Sequence, residues 1–209
     1  PHTARGFGNF YTVRYVQAFV ATEPVRSSDR ILQQALELFS KKGYEATSVR
    51  EICEAASITK PTLYHFYGSK EGVYRAIVDG TLDAFRSTMA AAVEGPGHPA
   101  ERLKRVARLH FARVRENDQL FRFILALIHN PASAAPRTDF PRFYEGMVGL
   151  VAKVVEEGVR AGQFAPGPIE VRMLVFMGAL GEAMCSWLIT GRPELKETLA
   201  DPLVDAVIG

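Results

Sequence analysis

Between residues 47 and 67 the chain carries two short helical patterns with almost nothing between them, and no other stretch limits its folding as strongly. The first, "TSVREICEAAS", opens on Thr47 and a Ser48-x-x-Glu51 capping box, which satisfies the first orphan amides, and turns Val49, Ile52, Cys53 and Ala56 toward a core. Only Ser57 and Ile58 precede the second, "TKPTLYHFY". There Thr59 is placed to cap and Pro61 falls in the first turn, where its missing amide costs nothing. Two short helices joined by so tight a turn predict a helix-turn-helix arrangement.

The second helix mixes residues that neither a core nor a freely solvated face would select together. Lys60, Thr62, His65 and the following Lys70 suit no core, and Tyr64, Phe66 and Tyr67 suit no solvated face. Helical spacing puts Lys60, Thr62, Tyr64, His65 and Tyr67 on a wide outer face and turns Leu63 and Phe66 inward. In a helix-turn-helix the second helix enters the major groove by its N-terminal end, so double-stranded DNA is the candidate for the polar surface it presses against. Lys60 and Thr62 are early enough to reach base edges, with the Pro61 ring or the Thr62 methyl against a thymine methyl, whereas Tyr64, His65 and Tyr67 suit phosphate oxygens. Lys70 and the amides of a helix start capped by Ser69 add a further phosphate contact. An aromatic-rich core helix with solvated ends satisfies the same periodicity and stays open as the alternative.

Composition narrows the class without naming a partner. At 47% apolar and 23% charged residues the chain is an ordinary folded one, and a net charge of +2 says nothing about nucleic acid, because only a local basic surface generates counterion release. Cys53 and Cys185 stand far apart with no ligand-spaced partner, so two reduced, packed thiols and a cytoplasmic location are expected, with no metal and no cofactor. Residues 1–26 lack the pattern of a signal peptide and receive no function.

The run "RILQQALELFSKKGYEATSVREICEAASITKPTLYHFYGSKEGVYRAIVD", residues 30–79, resembles the DNA-binding domain of the TetR family of bacterial transcriptional regulators. The resemblance implies a homodimer on a (pseudo)palindromic operator and a small-molecule effector. It places Thr47 and Ser48 near phosphate, Lys60 to Thr62 near bases behind the capping Thr59, and Tyr64, His65 and Lys70 on the DNA backbone. Two positions depart from the family pattern: Ser57 stands where a turn glycine is usual, and Phe66-Tyr67 reverses the commoner Tyr-Phe order.

The implied architecture is all-α. An N-terminal three-helix helix-turn-helix domain over residues 27–75 is joined through a long helix, Ser69 to about Val93, to a larger helical ligand-binding and dimerisation domain over residues 76–209. Within the latter, "AERLKRVARLHFARVRENDQLFRFILALIHN" reads as helix with a bend near Asn117. "PASAAPRTDFP" reads as a loop, and two full-length helices and a shorter terminal one from about Pro193 follow.

Residues 173–190 are nearly apolar throughout, at the lower limit of a membrane span, but Glu182 in their middle and the small residues Gly178, Ala179, Gly181 and Ala183 favour a helix buried between helices or subunits. The resemblance puts the dimer interface here, with Val175, Gly178, Ala179, Glu182, Leu199 and Leu203 as candidates and no membrane partner. The resemblance also implies an effector pocket in the body; adaptable apolar side chains make Phe111, Phe123, Leu127, Tyr144, Met147, Val151, Met173, Phe176, Met177 and Trp187 its candidates, with His110, His129, Arg113 and Glu182 as the polar groups to orient a ligand. The chain has no nucleophile elbow, phosphate loop, dinucleotide fingerprint or zinc-binding H-E-x-x-H, so it is not expected to be an enzyme. The competing readings are an all-helical partner-binding protein and a motif-less enzyme, neither of which would bind DNA.

Overall fold

The computed structural model describes residues 26–129 and 135–209, with the side chains of residues 128 and 129 left aside. The expectations for the N-terminal extension and for most of the loop after residue 129 lie outside them. In chain order the described residues form α1 (Ser27–Lys42), α2 (Val49–Ala55), α3 (Lys60–Tyr67), α4 (Lys70–Glu94), α5 (Pro99–Glu116), α6 (Asp118–His129), α7 (Phe140–Arg160), α8 (Ile169–Thr190) and α9 (Glu197–Ile208), with no strand among them.

The helix ends follow local chemistry. Ser48 accepts from the Glu51 amide at 3.2 Å while Glu51 accepts from the Ser48 amide at 2.8 Å, closing the predicted capping box. Thr59 caps α3 with Pro61 in its first turn. The predicted bend at Asn117 is a full break, and the Asn117 side chain accepts from the Leu120 amide at 3.0 Å to start α6. The first helix begins at Ser27 behind Arg26, with no side-chain cap. One end differs from expectation. The terminal helix begins at Glu197 rather than near Pro193.

The described residues divide into two compact units, 26–84 with 123–129 and 135–138, and 85–122 with 139–209, so that α4 and α6 each contribute residues to both. In the first unit Ile31, Leu32, Ala35, Leu36 and Phe39 of α1 are buried together with Ile52 and Cys53 of α2, Leu63 of α3 and Val73, Tyr74, Ile77 and Val78 of α4. An aromatic cluster closes this core. Phe39, Tyr44, Tyr74 and Phe123 lie 5.1 to 6.5 Å apart between ring centroids, and Phe123 of α6 meets both Phe39 and Tyr74.

In the second unit α5 is the hub, packing on α7, α8 and α9. Phe111, Leu103 and Val114 of α5, Val154 of α7, Phe176 and Leu180 of α8 and Ala200 and Val204 of α9 are essentially inaccessible. Burial of a phenylalanine such as Phe111 or Phe176 contributes about 2 to 3 kcal/mol. Charged side chains fix the register of the surrounding helices. Arg108 grips Asp201 with two nitrogens and Lys104 meets Asp205 at 2.8 Å, tying α9 to α5, while Arg102 reaches Glu157 of α7. Arg102 and Arg105 also donate to the carbonyls of Val93 and Ala92, which the end of α4 leaves without helical partners, and Arg105 to that of Pro96 in the loop beyond.

Candidate nucleic-acid interface

The turn between α2 and α3 explains one departure from the family pattern. Ser57 has φ +52°, the left-handed region that glycine enters at least cost, and it closes a Schellman-type end. Its amide donates to Glu54 at 3.2 Å and the Ile58 amide donates to Cys53 at 3.0 Å. The turn thus keeps its tight geometry with a serine accepting the strain. At the other end of α3, Gly68 at φ +72° reverses the chain into α4.

α3 is held by one face and offers the other. Leu63 is wholly buried, whereas Lys60, Pro61, Tyr64, His65 and Phe66 are exposed, Tyr64 by 49% and Phe66 by 45%. Thr62 is half-buried, and its hydroxyl lies 2.8 Å from that of Thr59. The His65 ring sits edge-on to Phe66 at 5.4 Å.

The predicted order of the last two rings is reversed. Phe66 faces outward, and Tyr67, four residues from Leu63 and so on the same face, turns inward and donates its hydroxyl to the Ser28 carbonyl of α1 at 3.0 Å. A tyrosine can be packed inward here because that carbonyl satisfies its O–H.

Two further expected phosphate contacts are committed elsewhere. Thr47 is only 1% exposed and its hydroxyl donates to the Gly43 carbonyl at 2.8 Å. Lys70 donates to the carbonyls of Tyr44 and Thr47, both at 2.9 Å, and sits 4.2 Å over the Tyr44 ring. Its ammonium holds the α1–α2 connection against the start of α4 rather than pointing to solvent. Ser48 is exposed, but its hydroxyl also donates to Glu51 at 2.7 Å. Hydrogen bonds from Lys42 first, and from Ser48 next, hold the Glu51 carboxyl down to about 2.

The expected effector residues separate between the units. Phe123 and Leu127 fall in the first, where Phe123 completes the aromatic cluster on Phe39 and Tyr74. In the second unit Phe111, Met147, Val151, Met173 and Phe176 are buried, Met177 and Trp187 half-buried, and Tyr144 43% exposed. A shallow hollow of about 430 Å³ in that unit is lined by Ser87, Thr88, Ala91, Ala92, Arg105 and Leu109, none of them predicted.

His110 is 9% exposed, stands edge-on to Phe85 at 4.9 Å, and has no hydrogen-bond partner at Nε2. Burial pushes its imidazole down to about 4, so it is neutral across the physiological range. Arg113 is paired with Glu116 at 3.1 Å, and the His129 side chain lies outside the described residues.

α8 is long and apolar enough to cross a membrane by length and composition, and its two sides differ. Met173, Phe176, Leu180, Ala183 and Leu188 face the core, while Val171, Leu174, Val175, Gly178, Glu182 and Ile189 lie outside it, Leu174 exposed by 72% and Ile189 by 80%. Of the expected interface residues, Val175, Gly178 and Glu182 belong to this outer stripe, and Ala179 lies beside it. Leu199 and Leu203 are half-buried, on an α9 whose Ala200, Val204 and Val207 are buried. Cys53 is buried and Cys185 half-buried, both as free thiols pushed up by desolvation.

A capped, proline-started helix presented from a three-helix base defines the class of helix-turn-helix DNA-binding proteins. The profile of the bacterial regulatory proteins of the tetR family matches residues 31–77. The HTH-type transcriptional repressor ComR of Escherichia coli (strain K12) is 44% identical over 57 residues, which is 27% of each chain, so the match spans about a quarter of that relative's length. The HTH-type transcriptional regulatory protein RaaS of Mycobacterium tuberculosis is 26% identical over 192 residues, covering 88% of this chain and 85% of that one. The crystal structure of PfmR, a TetR family transcriptional regulator from Thermus thermophilus, superposes with a TM-score of 0.68 at 26% identity, over 86% of this chain and 97% of that one. Residues 31–77 thus carry the DNA-binding domain of the tetR family, and most of the chain is similar in sequence and fold to TetR family transcriptional regulators.

Proposed function

We propose that the protein is a transcriptional repressor that binds a (pseudo)palindromic operator as a homodimer and is released from it by a small apolar or amphipathic ligand. The observation that carries this reading is the exposed face of α3, where Lys60, Pro61, Tyr64, His65 and Phe66 stand clear of a helix anchored by Leu63 and Tyr67. In this reading Lys60 and Thr62 meet base edges and the Pro61 ring a thymine methyl. Tyr64, His65 and the exposed Ser48 contact phosphates, and Thr59 sets the entry of the helix. Thr47, Tyr67 and Lys70 act by positioning.

The exposed apolar stripe of α8 supports self-association: Val171, Leu174, Val175 and Ile189 on one helix call for a cover, and Gly178 permits close approach of a second copy. Two recognition helices would then sit roughly one helical turn of DNA, about 34 Å, or somewhat more apart. A ligand bound among the helices of the second unit releases DNA only by its differential affinity for a dimer whose two α3 helices are misplaced. A coupling of about 1 to 3 kcal/mol would weaken binding some 5- to 150-fold. The function is binding, with no chemical step assigned, and its place is the cytoplasm, where a bacterial operator lies.

Fluorescence anisotropy on the promoter of its own gene and its neighbours tests the proposal. Retention that survives excess random DNA, and that falls in Lys60→Ala and Thr62→Ala on the specific site more than on random DNA, is the expected result. Equal and weak binding to all sequences would overturn it.

A further inference from the structure

Among the described residues two buried side-chain nitrogens lack a partner, His110 Nε2 and Arg172 Nε. The two are unlike. Arg172 is anchored through its other nitrogens on the carbonyls of Val207 and Ala165, so its guanidinium is already in use. His110 has hydrocarbon beside it. Its ring meets Phe85 of α4 edge-on, Phe85 meets Phe121 of α6 at 6.2 Å and Phe143 of α7 at 6.1 Å, and the rings continue through Phe140 to Tyr144. Phe85, Phe121, Phe140 and Phe143 are half-buried and Tyr144 is exposed, so the rings lead from solvent inward to an unused nitrogen.

We propose that these rings form the effector subsite of the second unit, and that the effector is a flat, apolar molecule with one uncharged hydrogen-bonding oxygen that pairs with His110 Nε2. The inference rests on the ligand-released reading given above and narrows its ligand. Edge-on and offset ring contacts are what a planar guest can join or replace. A neutral imidazole can give or take one hydrogen bond, which suits a hydroxyl or a carbonyl. A carboxylate would be stabilised chiefly by a charged imidazolium, and burial disfavours that form at neutral pH. Of the charged side chains on these helices, Arg113 is engaged with Glu116 on α5 and Arg122 with Asp118 on α6. A buried polar group left open in an apolar wall sets orientation and discriminates strongly against guests unable to pair with it.

Three probes on one ring size separate the possibilities: phenol, toluene and benzoate, each at millimolar concentration with the full chain labelled with ¹⁵N-histidine. The His110 signals are those of a ring that stays neutral through the physiological range, and their loss in His110→Leu confirms the assignment. Phenol is expected to shift the Nε2 resonance and to bind about tenfold more weakly to His110→Leu, the loss of one hydrogen bond, while toluene binds both proteins alike and benzoate binds least. Phenol and toluene behaving alike, benzoate binding best, or an Nε2 signal indifferent to all three would each overturn the proposal. The wild-type nitrogen shift decides the matter should the variant not fold. Operator binding measured on the same protein keeps the two readings apart. Indifference to phenol with intact operator binding removes this inference alone, whereas absence of operator binding removes the repressor reading and leaves a phenol-dependent shift standing.

Discussion

The two units each contain a ring cluster, and the clusters differ in how their polar atoms are treated. In the first, Phe39, Tyr44, Tyr74 and Phe123 pack beneath the helix-turn-helix, and the backbone of Tyr44 and Thr47 is gripped by Lys70. In the second, Phe85, Phe121, Phe143, Phe140 and Tyr144 lead to a histidine whose Nε2 is buried with no partner. A closely packed cluster gives one geometry, which a DNA reader needs. An unsatisfied one keeps a polar group available at a cost in stability, which a site for a guest needs.

The largest expected effect probes the closed cluster. Phe123→Ala removes a ring that touches both Phe39 and Tyr74 and should cost about 3 to 5 kcal/mol by the shift in urea midpoint. A cost below about 1 kcal/mol, on the order of a surface substitution, would mean that this cluster does not brace the unit.

Next comes acid stability in the open cluster. The His110 imidazole drops from 6.5 to about 4 on burial, so the unfolded chain binds its proton first. Stability should therefore fall as pH goes from about 6.5 toward 4, by roughly 3 kcal/mol for this group, and level off below. His110→Phe should lose that part of the pH dependence. Parallel curves for the two proteins would show that His110 is solvated after all.

Lys70→Ala distinguishes a bracing lysine from a phosphate contact. Two charge-assisted hydrogen bonds and a ring contact disappear, so a destabilisation of about 2 kcal/mol is expected. The salt slope of DNA binding should stay unchanged, whereas loss of a phosphate contact would make it shallower by about 1. The smallest effect has the opposite sign. His110→Leu should raise stability at neutral pH by about 1 kcal/mol, because it removes an unsatisfied buried group from apolar surroundings. A loss instead would place a structural partner on His110.

These contrasts also mark how far the sequence could be read. The capping box of Ser48 and Glu51, the Thr59 cap, Pro61 and the break at Asn117 were legible because each depends on partners three residues away or fewer. The exposed face of α3 was legible apart from its final rings: helical spacing put Tyr67 outside and Phe66 inside, and the Ser28 carbonyl, 39 residues distant in sequence, decided the opposite. Thr47 and Lys70 look like surface residues in a motif, yet Lys70 finds its acceptors 23 and 26 residues back. No local signal reports them. Phe123 read as a wall of an effector pocket in the body, and only the packing assigned it to the reader unit.

The amino-acid sequence alone determined that the described residues build from helices, where several of these are capped and broken, and that a proline-started helix offers lysine, tyrosine and histidine together, since these follow from backbone hydrogen bonds and side-chain spacing within a turn or two. The tertiary structure decided which aromatic ring is inside, which lysine is a brace, and that His110 lies buried with an unused nitrogen. Those outcomes depend on which distant carbonyl or ring arrives beside a side chain, and a one-dimensional pattern carries no record of that.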